Sequence, residues 1–444
     1  MLKTAIWHPT RVVPLAFLAA IAAGTLLLWL PISRAGTGGA PLLTALFTAT
    51  SAVCVTGLTM VDTGSYWSSF GLGVIVLLVQ LGGLGIMTAA TLLGLLVSNR
   101  LRLGQRLLAQ AETRTTALGD VGATLKLVFI VTLAVQVTVA IILFGRWFVA
   151  FDQAPAEALW HAWFHSVMAF NNAGFGLFSD SVIRYARDGW VLVPLMAAIV
   201  IGGIGFPVLY ELRRNLTQPA AWSLHTKLTL LGTAVLIPVG AAAVLAFEWW
   251  NPATIGPLDP AAKIMNAVFH SVNSRTAGFN AVDVSAMRPE TLLFTTGLML
   301  IGGGSAGTAG GIKVTTFLIL GLVVLAEIQG ERDASGFRRR VSGETQRLAL
   351  TVVLLSIGAI AVGTLSILSM TRLDLGPVLF EVTSAFATVG LSTGITSQLP
   401  PGGQLVLIVL MFAGRVGTVT LAAALALRAR QRPYRYPEER PIIG

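Results

Sequence analysis

Four glycines return along this chain at near-equal intervals, and no other feature limits its fold so tightly. Gly57, Gly174, Gly278 and Gly390 lie 117, 104 and 112 residues apart. Each closes a short half-apolar run and opens a polar stretch: Cys54-Val55-Thr56-Gly57-Leu58, Asn171-Asn172-Ala173-Gly174-Phe175, Arg275-Thr276-Ala277-Gly278-Phe279 and Ala387-Thr388-Val389-Gly390-Leu391. The spacing divides the chain into units of similar length. Met once per unit in a membrane protein, such a glycine brings a strand of bare backbone to a common axis. Carbonyls arranged around an axis are how proteins dehydrate and select alkali cations, so the pattern predicts a cation pore.

Composition places the chain in a bilayer. Hydrophobic residues make up 55% of it and charged residues 11%, with a mean hydropathy of +0.78. Apolar runs at Val12–Leu30, Leu72–Val97, Leu125–Val149, Trp190–Leu209, Leu228–Phe247, Leu348–Met370 and Leu405–Leu427 each have about the 20 residues that cross roughly 30 Å of hydrocarbon as a helix. The first is too long for a cleaved signal peptide, and no small-x-small site ends it cleanly. One cysteine, Cys54, excludes an internal disulfide and offers no metal pattern. No nucleophile–base set, phosphate loop or soluble nucleotide domain is visible, so no enzyme is expected.

The net charge of +10 reads as topology rather than as affinity for nucleic acid. With the termini and the loop after each second long helix on one side, that side carries 20 bases and 9 acids. The other carries 8 bases, Arg275 among them, and 11 acids, while Lys313 and Arg415 fall inside membrane segments. The basic side is cytoplasmic by the positive-inside rule.

Each unit then reads as two spans (M1 and M2) around a short helix (P). Pro41–Val53 is thirteen residues, roughly 20 Å as a helix, too short to span. It is expected to dip in and return, with the following strand buried in protein. True spans there would flip alternate units and send the basic loops to alternate sides, which they do not do. The expected fold is all-α and integral to the membrane: four parallel M1–P–M2 repeats around a pseudo-fourfold pore, with re-entrant pore helices and a broken third M2. Repeat boundaries fall at 1–98, 99–215, 216–330 and 331–444. Phe47, Phe164 and Phe380 stand ten residues before their glycines and Phe269 nine, and Phe-His-Ser-Val occurs at both 164–167 and 269–272. Glycine clusters at 82–85, 202–205, 302–304 and 414–417 recur in the second spans, for close helix packing, pore lining or both.

The break in the third M2 is predicted by Gly302-Gly303-Gly304-Ser305-Ala306-Gly307-Thr308-Ala309-Gly310-Gly311, where six glycines in ten residues cost roughly 1 kcal/mol each in a helix. Irregular backbone at membrane depth survives only when buried or facing water; a simple packing kink is the plainer alternative, and a loop that obstructs the pore and moves on gating the sharper one. Arg415, in the last apolar run, is expected either to place a fixed charge in the pore or to pair with a carboxylate or backbone carbonyls. Lys313 is expected to belong to the loop or to snorkel towards the cytoplasm. Asp62, Asp180 and Asp283 follow their glycines and are read as cation-concentrating mouth residues or plain loop acids. His161, His165 and His270 are read as packing or capping residues.

These residues resemble the Trk/Ktr/HKT superfamily. The match covers nearly the whole chain and rests on one glycine per strand, the Gly-Ser-Ala-Gly-Thr-Ala-Gly-Gly run before Lys313 and an arginine in the last M2. One span before the first glycine makes it look like a KtrB-type subunit. The resemblance implies potassium uptake across the cell inner (plasma) membrane, with both termini cytoplasmic and K+ as the transported ion. It implies no covalent cofactor, Na+ as a candidate activator, and nucleotide carried by a partner. The implied partners are a second copy, giving a homodimer with a pore in each protomer, a cytosolic KtrA-type nucleotide-binding ring on the basic face, and membrane lipids. The implied filter residues are Val55, Thr56, Gly57, Asn172, Ala173, Gly174, Thr276, Ala277, Gly278, Thr388, Val389 and Gly390. The implied gate is Gly302–Gly311 with Lys313 and Arg415. In plant relatives a serine at the first filter position accompanies sodium preference, so Gly57 favours potassium. A Trk-type or sodium-coupled symporter, a sodium-permeable HKT-like transporter and a non-transporting scaffold are the competing readings.

Overall fold

The computed structural model describes residues 9–99, 121–417 and 439. The expectations for both termini, for the basic loop 100–120 and for the tail from Arg428 lie outside the described residues, Glu439 excepted. The protein is mostly helical. In chain order the helices are α1 (Pro9–Trp29), α2 (Leu42–Val53), α3 (Ser69–Asn99), α4 (Val121–Ala150), α5 (Pro155–Asn171), α6 (Gly189–Ile204) and α7 (Phe206–Asn215). They continue with α8 (Leu224–Glu248), α9 (Pro260–Asn273), α10 (Pro289–Leu300), α11 (Val314–Gln329), α12 (Gly343–Met370), α13 (Leu375–Ala387) and α14 (Pro401–Phe412). A small hairpin, β1 (Ser335–Gly336) with β2 (Arg339–Arg340), pairs Ser335 with Arg340.

Local sequence sets the helix starts. Pro155, Pro260, Pro289 and Pro401 open α5, α9, α10 and α14, where the missing N–H costs nothing. Asp259 accepts from Ala262 N at 3.2 Å, and Ser223 and Ser342 cap α8 and α12 in the same way. Among the described residues, α8, α12 and the 126–150 part of α4 are long and apolar enough to cross a membrane. Their outward faces are apolar, with Ile141, Val149, Val239, Val362 and Leu365 exposed. The protein is a multi-pass membrane protein.

The short helices α2, α5, α9 and α13 are the buried centre. Each packs on the long helix before it: α2 on α1, α5 on α4, α9 on α8, α13 on α12. Each also receives a helix from the segment before it around a circle, α3 on α5, α6 on α9, α10 on α13 and α14 on α2.

Two features depart from the expected spans. The run read as one helix from Trp190 to Leu209 is broken at Gly205, and α7 turns 97° from α6. The Gly-Phe-Pro sequence explains it: Gly205 has φ +93°, and Pro207 starts a new helix. Arg275, counted with the outer loops, is instead 7% exposed within the helical body. Helix is absent across 302–311, between Leu300 at the end of α10 and Val314 at the start of α11.

At the end of α8, Glu248 is fully buried and accepts from Arg288 N (2.8 Å), Thr291 Oγ1 (2.5 Å), Thr254 Oγ1 (2.7 Å) and Asn251 Nδ2 (2.6 Å). One carboxylate thereby ties α8, its exit turn and the start of α10. Removing it strands several buried donors, each at a cost of roughly 1–3 kcal/mol. Glu248→Ala is therefore expected to lower the melting temperature in detergent by several degrees, whereas Val362→Ala on the exposed face leaves it unchanged, as read by size-exclusion after heating.

Candidate functional site

The four glycines meet. A methyl group added to Gly57 would lie 2.2 Å from Ala173 O, one on Gly174 3.0 Å from Ala277 O, one on Gly278 2.6 Å from Val389 O, and one on Gly390 2.2 Å from Thr56 O. Each strand thus abuts the next in chain order and the fourth abuts the first. All four glycines have positive φ, at +92°, +62°, +77° and +93°. So do the residues two positions earlier: Val55 (56°), Asn172 (60°), Thr276 (88°) and Thr388 (51°). Thr56, Ala173, Ala277 and Val389 between them are outside that region. Alternating the sign of φ turns successive carbonyls to one side of a strand. For the β-branched Val55, Thr276 and Thr388 this conformation costs about 1–3 kcal/mol each, and strain of that size persists only where the surroundings impose it.

The short helices impose it. Gly57 N donates to Ser51 Oγ at 3.0 Å and Gly390 N to Ser384 Oγ at 3.1 Å, each serine six residues before its glycine. In the third strand Phe279 N donates to Asn273 Oδ1 at 3.1 Å, and behind the second Asn171 Nδ2 donates to Gln80 Oε1 at 2.7 Å. None of these anchors was singled out from the sequence; the shared six-residue offset of Ser51 and Ser384 is the signal that carries them. Glu381, fully buried in α13, accepts from Ser392 Oγ at 2.9 Å and from Thr396 Oγ1, and so holds the loop after the fourth strand.

Residues 302–311 contain no helix and are sewn to the break between α6 and α7. Gly304 N donates to Gly203 O (2.8 Å), Thr308 N to Gly202 O (3.1 Å) and Phe206 N to Ala306 O (3.2 Å). Thr308 Oγ1 reaches Phe170 O at 3.2 Å. Glycine is demanded by contact: a methyl on Gly304 would lie 2.1 Å from Ile204 O, and one on Gly310 1.9 Å from Thr388 Oγ1. Gly302, Gly303, Ser305, Gly307, Ala309 and Gly311 complete the loop, and Gly310 sits against the fourth strand.

Three cations surround it. Arg415, 2% exposed in a π-helical turn, donates through Nη1 to Thr308 O, so of its two expected roles the backbone-carbonyl pairing is present. Lys313 reaches back to Ala309 O at 2.5 Å rather than out towards the cytoplasm. Arg275 Nη2 donates to Gly302 O at 3.3 Å.

The expected mouth acids serve the loops. Asp62 caps a helical turn through Gly64 N and accepts from Ser179 Oγ of the next segment at 2.8 Å. Asp283 accepts from Ser285 N and Oγ. Partial burial of Asp180 acts to raise its pKa, but the Arg184 guanidinium 2.8 Å away overrides this and holds the carboxyl below the usual range. His165 stacks on Phe178 and edges onto Trp147, while His270 Nε2 hydrogen-bonds Thr295 Oγ1, in keeping with packing roles. Among the described residues no metal-binding cluster of His, Cys, Asp or Glu occurs.

Comparison with known proteins finds a match to the TrkH cation transport protein family over residues 4–432. The chain belongs to that family. It is 36% identical over its full length to Ktr system potassium uptake protein B of Bacillus subtilis, covering 98% of that protein. It is 36% identical to the protein of the same name from Vibrio alginolyticus over 98% of this chain and 94% of the other. Potassium/sodium uptake protein NtpJ of Enterococcus hirae is 33% identical over 98% of this chain and 97% of its own length. Among solved structures, the potassium transporter TrkH from Vibrio parahaemolyticus shares the fold, with TM-score 0.71 at 18% identity, over 93% of this chain and 83% of that one.

Because the ring leaves no room for a side chain, Gly390→Ala must push Thr56 O out of place. Cation flux into liposomes is expected to fall at least tenfold, roughly the effect of losing one or two kcal/mol of ion stabilisation. Gly376→Ala, on an open face of α13, leaves flux unchanged.

Proposed function

We propose that this chain is the pore-forming membrane subunit of a potassium uptake system, a transporter and not an enzyme. The observation that carries the reading is the closed ring of four glycine strands with alternating φ. Carbonyls turned to one side around an axis replace the hydration shell of an alkali cation. In this reading Val55–Gly57, Asn172–Gly174, Thr276–Gly278 and Thr388–Gly390 are the filter, with K+ as cargo. The four segments 1–98, 99–215, 216–330 and 331–444 are parallel M1–P–M2 repeats about a pseudo-fourfold axis, and α2, α5, α9 and α13 are re-entrant pore helices. The potassium uptake named in the relatives from Bacillus and Vibrio supports the choice of ion.

Gly302–Gly311, with Lys313 and Arg415, is the gate. Its glycines let it fold into a narrow space against the fourth strand, and its attachment to Gly202–Phe206 gives it a seat to leave. As a Ktr-type membrane subunit the chain would work as a homodimer in the inner membrane, with both termini cytoplasmic. A cytosolic KtrA-type ring that carries the nucleotide would dock on its basic face, and membrane lipids would surround it. Sodium permeation or activation is the second reading, favoured by the inequivalent strands and by the potassium/sodium name of the Enterococcus relative.

Deleting Ser305–Ala309 is expected to raise Rb+ flux into liposomes about tenfold or more; a folded deletion with unchanged flux removes the loop from gating. The same assay with K+, Rb+ and Na+ separates the readings, since uphill K+ uptake tied to a second gradient contradicts a channel-like pore. Replacing Arg338–Arg340 with glutamines is expected to weaken co-purification with a KtrA-type ring without altering the K+/Na+ ratio.

A further inference from the structure

The position three residues before each filter glycine is occupied by Cys54, Asn171, Arg275 and Ala387, and only the third is charged. In two other units this position faces a glycine, of α3 in one case and of the glycine loop in the other. A methyl on Gly83 would lie 2.0 Å from Asn171 Oδ1, and one on Gly311 3.3 Å from Ala387 Cβ. Arg275 faces the same kind of surface, but what it meets is the first residue of the glycine loop. Its Nη2 donates to Gly302 O at 3.3 Å, its Nε has no partner, and the residue is 7% exposed. The cavity around it is lined mainly by Ile199, Val200, Ile204, Ile237 and Val272, and its polar side chains Asn172 and Thr233 bond Thr276 Oγ1 and Thr229 O rather than Arg275.

We propose that Arg275 is a positioning residue that holds the glycine loop in its seat from behind the third filter strand, and so couples gate to filter. The inference rests on the reading of that loop as the gate. A buried guanidinium beside a largely apolar cavity, hydrogen-bonded to one carbonyl and with its Nε unpartnered, is poorly satisfied as it stands. When the loop withdraws it takes Gly302 O with it and leaves the charge with still less compensation, which is costly in a low-dielectric interior. The seated loop is therefore favoured by the full difference between a paired and an unpaired buried charge. Arg415 and Lys313 hold the later part of the loop through Thr308 O and Ala309 O, and of the three cations Arg275 alone holds its first residue. The bonds to the break between α6 and α7 join neutral backbone groups (Gly304 N with Gly203 O, Thr308 N with Gly202 O), each a weaker restraint than a charged donor. Arg275 is also only three residues from Gly278, so movement of the loop is felt at the strand itself.

The test is a double-mutant cycle in liposomes, reading Rb+ flux and the Rb+/Na+ flux ratio. Arg275→Met and Arg275→Lys are each made in the full chain and in the Ser305–Ala309 deletion. In the full chain, Arg275→Met is expected to raise basal Rb+ flux about tenfold, the effect of losing one charged hydrogen bond. Arg275→Lys keeps a cationic donor and is expected to restore most of the closure. In the deletion neither substitution raises flux further. Equal effects in both backgrounds, or a changed Rb+/Na+ ratio with unchanged basal flux, would place Arg275 in the filter alone and overturn the proposal. If Arg275→Met does not fold, Arg275→Gln takes its place with the same expectations. A deletion that itself leaves flux unchanged refutes the gate reading, whereas a deletion that raises flux while Arg275→Met does not refutes only the role of Arg275.

Discussion

Backbone polar groups inside a bilayer must find partners within the protein, and the architecture is largely an answer to that demand. Four strands and one ten-residue loop depart from helical geometry in the buried centre. The strands are supplied by the ends of the short helices, through Ser51, Asn273 and Ser384. The loop is supplied by α6 and α7, which part at Gly205 at the place where the loop docks. One break accommodates the other: Gly202 and Gly203 lend carbonyls to the loop, and Phe206 takes one back.

The distribution of charge follows a related rule. Arg275, Lys313 and Arg415 each end on a carbonyl of the same loop, and none belongs to a described ion pair. The buried carboxylates lie elsewhere: Glu248 and Glu381 bind loop hydroxyls and amides beyond the strands. Around the loop the cations thus stand without a carboxylate partner, whereas the described ion pairs, Arg146 with the buried Asp188 among them, lie elsewhere. Neutral dipoles hold these positive groups, and no described salt bridge ties the loop in place.

Much of this was legible in the residues. The glycine spacing marked the strands, and the density of glycine in 302–311 marked the broken third span, because both signals come from backbone sterics that only glycine relieves. The kink at Gly205 was hidden inside an apolar run: Gly-Phe-Pro is short, and its effect depends on a loop about a hundred residues away in sequence. Arg275 was assigned to the outer loops because charge counting sees sides of the membrane and not depth. Ser51 and Ser384 carry no mark in the sequence because hydroxyls are common, and only the meeting of helix end and glycine N–H gives these two a task.

The order of contacts around the ring also bears on how the molecule is made. Neighbouring strands are neighbours in the chain, except at the seam where Gly390 meets Thr56. At typical elongation rates the first strand waits on the order of tens of seconds for the fourth to be synthesised. Until then the first strand lacks the neighbour that Gly390 provides at Thr56 O. Ring closure is therefore a late event: the contact between the first and fourth strands waits for the last segment of the chain.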